Sequence, residues 1–228
     1  MIFIMGDTHG TIDFQKLKDF SDSNPNLTKK DYMIICGDFG GVWNPLSLDN
    51  DLKPYEDLNF TILFVDGNHE NFDLLNEFLV EEWNGGKVHF IRPDIIHLMR
   101  GQVFTIEGKK FFTFGGATSI DKIYRMEGLS WWPEEVPSYE DFDEAYNNLE
   151  KHNFAVDYII THSCDERALY YPIFKKIGIS PNIYPENRML NNFEENVKYT
   201  HWYFGHYHYD GKVNERKTLL YNKIIKLF

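Results

Sequence analysis

The sequence predicts an α/β fold. Three observations carry that prediction: short unbroken apolar runs recur along the chain, helical stretches fall between several of them, and a polar cluster stands after each of the best runs. The runs at 2–5, 32–36, 61–65, 158–161 and 202–204 show little polar alternation. They read as strands buried on both faces, as in a sheet covered by other layers.

The intervening elements can be taken in chain order. Residues 13–20 carry a weak helical pattern. Phe72, Leu75, Leu79 and Trp83 recur at helical spacing, with Asp73, Asn76, Glu77, Glu81 and Glu82 on other faces, and predict a helix. Phe142, Ala145, Tyr146 and Leu149 do the same behind Ser138, a residue suited to an N-cap. The segments 103–106 and 110–114 flank Glu107-Gly108-Lys109 and predict a hairpin. The stretch 211–227 alternates in places and predicts a last hairpin. Residues 118–137 fit neither period and read as a long loop of the kind that often serves function. Strand–helix–strand alternation without repeats or Gly/Ser linkers predicts one continuous domain over 1–228.

Composition narrows the function. The chain has 23 basic and 35 acidic side chains, a net charge of −12, and no basic run. Such a surface repels nucleic-acid backbones and argues against duplex nucleic acid as a partner, although bound cations would reverse the sign locally. Aromatic residues make up 17% of the chain, and most are expected to fill the core. Two cysteines, Cys36 and Cys164, do not make a disulfide scaffold. The first apolar run stops at Gly6-Asp7 without a basic leader, and no apolar stretch approaches the ~20 residues that span a bilayer. The expectation is a soluble, cytoplasmic protein with no membrane partner; its oligomeric state is left open.

The polar residues at the end of each run are more telling. The first run leads into Gly6-Asp7-Thr8-His9-Gly10, the second into Gly37-Asp38-Phe39-Gly40-Gly41, and the third into Asp66-Gly67-Asn68-His69-Glu70. The fourth ends at His162 and the fifth at Gly205-His206-Tyr207-His208. Each cluster therefore sits beyond the C-terminal end of a buried strand, the edge where α/β sheets bind ligands. Asp, His and Asn without an obligatory thiolate suit Zn, Fe, Mn or Ni. Asp38 is the candidate to bridge two such cations.

These five motifs, in this order over residues 7–208, resemble those of the calcineurin-like metallophosphoesterases. The resemblance implies a two-sheet β-sandwich flanked by helices, with its site at the C-terminal strand ends. It implies that Asp7, His9 and His208 hold one divalent metal, that Asn68, His162 and His206 hold a second, and that Asp38 bridges them. His69 would assist the leaving group. Two cations roughly 3.5–4 Å apart bind phosphate oxygens and lower a bound water's pKa toward about 7, so that a metal-bound hydroxide attacks phosphorus. The expected activity is hydrolysis of a phosphomonoester or phosphodiester. The protein Ser/Thr phosphatase branch carries Asp and Arg where this chain has Gly41 and Val42, which argues against that branch, although Glu70 matches it.

Other residues carry weaker expectations. Arg125, in the long loop beside Trp131 and Trp132, is a candidate phosphate contact, whereas the two Trp side chains are expected to pack the loop down. His89, His97, His152 and His201 match no motif and read as packing residues, and Cys164 reads as a buried or loop thiol. The competing readings are a nuclease, disfavoured by charge, and a non-catalytic metal-binding scaffold, which would be expected to have lost ligands.

Overall fold

The computed structural model describes residues 1–180 and 182–228. β1 (Ile2–Met5), β2 (Tyr32–Ile35) and β3 (Thr61–Phe64) run parallel and adjacent, with Ile4 opposite Ile34 and Ile34 opposite Leu63. α1 (Phe14–Ser23) and α2 (Leu48–Glu56) supply the crossovers and bury Leu17, Leu52 and Tyr55 in one cluster with Phe3 and Met33. Ile2, Ile4, Ile34 and Leu63 belong instead to a second cluster with Phe104, Phe111 and Ile160. Successive strand residues thus enter different cores, which is why the runs contain no polar alternation.

The stretch after β3 departs from expectation. Only α3 (Phe72–Leu75) is helical; β4 (Val80–Trp83) is a strand that pairs antiparallel with β5 (Gly86–Arg92), and β6 (Ile95–Leu98) returns beside β3. Leu79 and Val80 are exposed, so the stripe that predicted a helix over 72–83 has no core to face. Asn84-Gly85, at φ 50° and 94°, turns the chain between the two strands. Asn-Gly is the strongest short hairpin signal, and here it outweighs the helical spacing.

β7 (Gln102–Ile106) and β8 (Lys109–Phe114) form the expected hairpin, with Glu107 and Gly108 both at positive φ. The loop over 118–137 contains two short 3₁₀ turns and an isolated bridge between Glu127 and Trp131. α4 (Tyr139–Lys151) starts where Ser138 predicts: its hydroxyl accepts the Asp141 N–H, and the Asp141 carboxylate accepts the Ser138 N–H. β9 (Tyr158–Thr161), α5 (Pro172–Lys176), α6 (Pro185–Asn196) and β10 (His201–Phe204) come next. β11 (Gly211–Asn214) and β12 (Lys217–Leu219) make the last hairpin, but β13 (Ile225–Lys226) leaves it and pairs with β1 in the other sheet.

The result is two mixed sheets flanked by helices. One has seven strands in the order β13-β1-β2-β3-β6-β5-β4, and the other has six in the order β11-β12-β10-β9-β8-β7. Outside the second sheet, α4 and α6 bury Leu149, Leu190 and Phe193 beside Phe112 and Trp202. Among the described residues no helix is long and apolar enough to cross a membrane. The carboxyl ends of parallel strands from both sheets meet at one edge of the sandwich, and there the polar clusters converge.

Candidate metal centre

Asp7 and His9 stand after β1, Asp38 after β2, Asn68 and His69 after β3, His162 after β9, and His206 and His208 after β10. Hydrogen bonds pin these turns to one another. Thr8 and His9 donate their N–H groups to the Asp38 carbonyl at 3.1 and 2.8 Å, and Gly205 donates to the His162 carbonyl at 2.9 Å. His206 donates its N–H to the Asp7 carboxylate at 3.0 Å, and His69 donates its own to Asp38 Oδ1 at 2.7 Å.

The glycines at this edge answer a steric need. A Cβ on Gly67 would lie 2.0 Å from Asp38 Oδ1, and one on Gly205 would lie 2.1 Å from Asp7 Oδ1. The ligand-type residues themselves take the strain: His9, Asp38, His206 and His208 lie at φ 45°, 49°, 69° and 46°. Left-handed backbone at non-glycine residues is costly and clusters where surrounding structure over-determines it, as at functional sites.

Asp38 stands at the middle. Its Oδ2 is 3.4 Å from His9 Nε2, and its Oδ1 is 3.4 Å from His162 Nε2. Asp7, His9, Asp38 and His208 each bring one ligand atom within 4.8 Å of the others. Across the carboxylate, Asn68 Oδ1 lies 3.1 Å from His162 Nε2, and the His162 and His206 rings meet edge to face at 4.9 Å.

The outward-facing atoms are held as well. His9 Nδ1 is 2.9 Å from the Asp13 carboxylate, and His162 Nδ1 is 2.8 Å from the Cys36 carbonyl oxygen. Both contacts leave Nε2 pointing inward, the arrangement by which a carboxylate or backbone carbonyl fixes a metal-binding imidazole. Asn68 is fixed by a chain of buried groups: its Nδ2 donates to Ser119 Oγ at 3.1 Å, and Ser119 Oγ donates to Glu135 Oε2 at 2.6 Å. Glu135 also accepts the Ser119 N–H at 2.7 Å. The amide oxygen of Asn68 is thereby left for the centre.

Electrostatics fit the same purpose. Burial works against charge on Asp38, yet the neighbouring His162 and His9 hold its carboxyl well below the usual range. Burial likewise lowers His9 and His162, but contacts to Asp38 and other carboxylates outweigh it and place them at about 9 and about 10. Without metal, protons on these two rings offset the buried carboxylates. His206, buried beside His162, is pulled down to about 3. Carboxylate, imidazole and amide donors, aimed inward and oriented from behind, suit divalent transition cations. Cys164 is buried, and burial pushes its thiol up, away from the thiolate that ligation needs.

His69 is not part of that convergence. It lines a cleft of about 530 Å³ that also includes Asp38, Asn68, Arg125 and His208. The Arg125 guanidinium lies against the His69 ring, with Nη1 3.0 Å from His69 Nδ1 and Nη2 3.3 Å from His69 Nε2. Arg125 also donates to Asp121 Oδ2 at 2.8 Å, which steadies it at the cleft wall. Burial, then the Arg125 charge, pull His69 below the ordinary histidine range despite the opposing Asp38. Trp132 packs the loop down, its indole N–H donating to Asp73 at 2.8 Å.

Three residues at the centre escape sequence reasoning. Asp13 stands four residues after His9, a spacing that could have marked it; Ser119 and Glu135 carry no local signal because their partners are distant in sequence. Glu70 serves the Asp38 loop, accepting the N–H groups of Phe39 at 2.7 Å and Gly40 at 3.2 Å. Asp66, at the head of the same motif, turns away to a buried contact with Arg100 at 2.5 Å.

Residues 1–210 match the calcineurin-like phosphoesterase family, and the chain belongs to it. Its class is therefore that of metal-dependent phosphoester hydrolases. Among solved structures, the phosphopantetheinyl hydrolase of Mycobacterium tuberculosis is similar at 14% identity, covering 96% of this chain and 87% of that one, with a TM-score of 0.45. No curated protein matches the chain.

Proposed function

We propose that this chain hydrolyses a small phosphomonoester or phosphodiester at a dinuclear centre. Asp7, His9 and His208 would hold one ion, Asn68, His162 and His206 the other, and Asp38 would serve both. The carrying observation is the Asp38 carboxylate, which presents one oxygen to His9 and the other to His162, each at 3.4 Å. Mn, Fe, Zn or Ni would suit the donors.

When bound, divalent cations would supply Lewis acidity at this centre. The chain's own residues do the rest. Arg125 faces the cleft with a fixed guanidinium and adds positive charge where a phosphate oxygen would lie. Burial lowers the proton affinity of His69 and favours its uncharged imidazole, one tautomer of which offers an N–H to the departing oxygen. The cleft walls set the direction from which the ester enters.

The test is hydrolysis of bis(p-nitrophenyl) phosphate and p-nitrophenyl phosphate with added Mn²⁺. Release abolished by EDTA and by Asp38→Asn is the expected result. Two bound ions with no turnover of either ester would favour the scaffold reading; no bound ion would remove the centre altogether.

A further inference from the structure

A second cavity, of about 470 Å³, lies beyond the wall formed by His9 and His69, whose rings meet edge to face at 5.6 Å. His69 borders both this cavity and the cleft with Arg125. One side is bare backbone at Gly10 and Gly40, packed so tightly that a Cβ on Gly10 would lie 2.7 Å from the Gly40 carbonyl oxygen. Trp43 contributes a half-buried indole.

Tyr55 also lines the cavity. It is 2% exposed, its ring is gripped edge-on by Phe14 and Phe39, and its buried hydroxyl has no hydrogen-bond partner among the described residues. The cavity's lining includes Asp51 and no Lys or Arg, so it disfavours a second anion.

We propose that this cavity receives one ester arm of a phosphodiester while the cleft receives the other. The arm is uncharged and planar and lies against Trp43 and the glycine backbone. This rests on the phosphoesterase reading and narrows its substrate class. A phosphomonoester has one organic substituent and leaves one cavity empty. A diester has two, one for each side of His69.

The test uses Mn²⁺-loaded protein and two probes whose P–C bonds cannot be hydrolysed. Diphenylphosphinate has two rings and must use both cavities, whereas phenylphosphonate has one ring and can keep it in the cleft. By calorimetry, Trp43→Ala is expected to weaken diphenylphosphinate about tenfold more than phenylphosphonate, a ratio typical of losing one aromatic wall. Trp43→Phe keeps a ring in that wall and should restore most of the difference between the two probes. Equal effects on both probes, or no effect, would overturn the subsite even if both esters are hydrolysed. The predicted binding pattern without turnover of either ester would keep the subsite and sink the hydrolase reading.

Discussion

Ser119→Ala offers a sharp test of how the second ion would be held. Ser119 is 3% exposed and accepts a hydrogen bond from Asn68 Nδ2 at 3.1 Å while donating to Glu135 at 2.6 Å. Removing the hydroxyl takes away the contact that distinguishes the two ends of the Asn68 amide. A net hydrogen bond is worth about 1 kcal/mol, and loss of an orienting contact behind a ligand typically costs roughly tenfold in metal affinity. The loss should fall on one ion, because Asn68 Oδ1 lies beside His162 Nε2, on the other oxygen of Asp38 from His9. Stepwise Mn²⁺ affinities, measured by competition with a chelating dye, read this directly. Thr118→Val is the control: Thr118 donates to buried Glu186 at 2.9 Å at the same loop root without touching Asn68. That variant should lower stability and leave both affinities in place. Two constants unchanged in Ser119→Ala, or both lowered alike, would refute the reasoning.

Arg125→Ala should raise KM for phosphoesters about tenfold, as expected for a lost charge-assisted contact. It should also move the acidic limb of the pH–rate profile to higher pH, because the Arg125 charge helps pull His69 down; unchanged turnover, affinity and pH profile would remove Arg125 from the site. A different pH dependence belongs to stability. Burial, then His97, lower buried His89 from 6.5 to about 4. The unfolded chain therefore binds the proton first as pH falls, so stability is complete above about 6.5 and declines toward pH 4, by at most about 3 kcal/mol. Urea unfolding at pH 7.5 and pH 5 should show a smaller difference in His89→Gln than in the parent; equal differences would refute the assignment.

The parallel strands were legible because residues such as Ile4 and Met5 are buried in different cores, leaving no polar position to break the run. The ligand-type residues were legible for a related reason, since each stands in the first turn after such a strand. α6 was not, because its Asn- and Glu-rich sequence buries little beyond Leu190 and Phe193 on its apolar face. α2, acidic at its start and interrupted by Pro54, hides in the same way. Residues 72–83 misled because helical spacing was weighed without the Asn84-Gly85 turn just beyond them. Glu135 and Ser119 were beyond reach: their roles exist only once residues 16 and 51 positions apart are brought together.

The hydrogen bonds among the strand-end turns have a consequence for redesign. The His162 ring, from one sheet, reaches the Cys36 carbonyl of the other, and the Asp7 carboxylate accepts the backbone N–H of His206 across the same seam. The groups that would grip cations are thus also the stitches that close the sandwich at this edge. Exchanging them to recruit a new metal would loosen the seam between the sheets along with the chemistry. Walls such as Trp43 carry no such stitch, so the scaffold separates the parts that must stay fixed from those free to diverge.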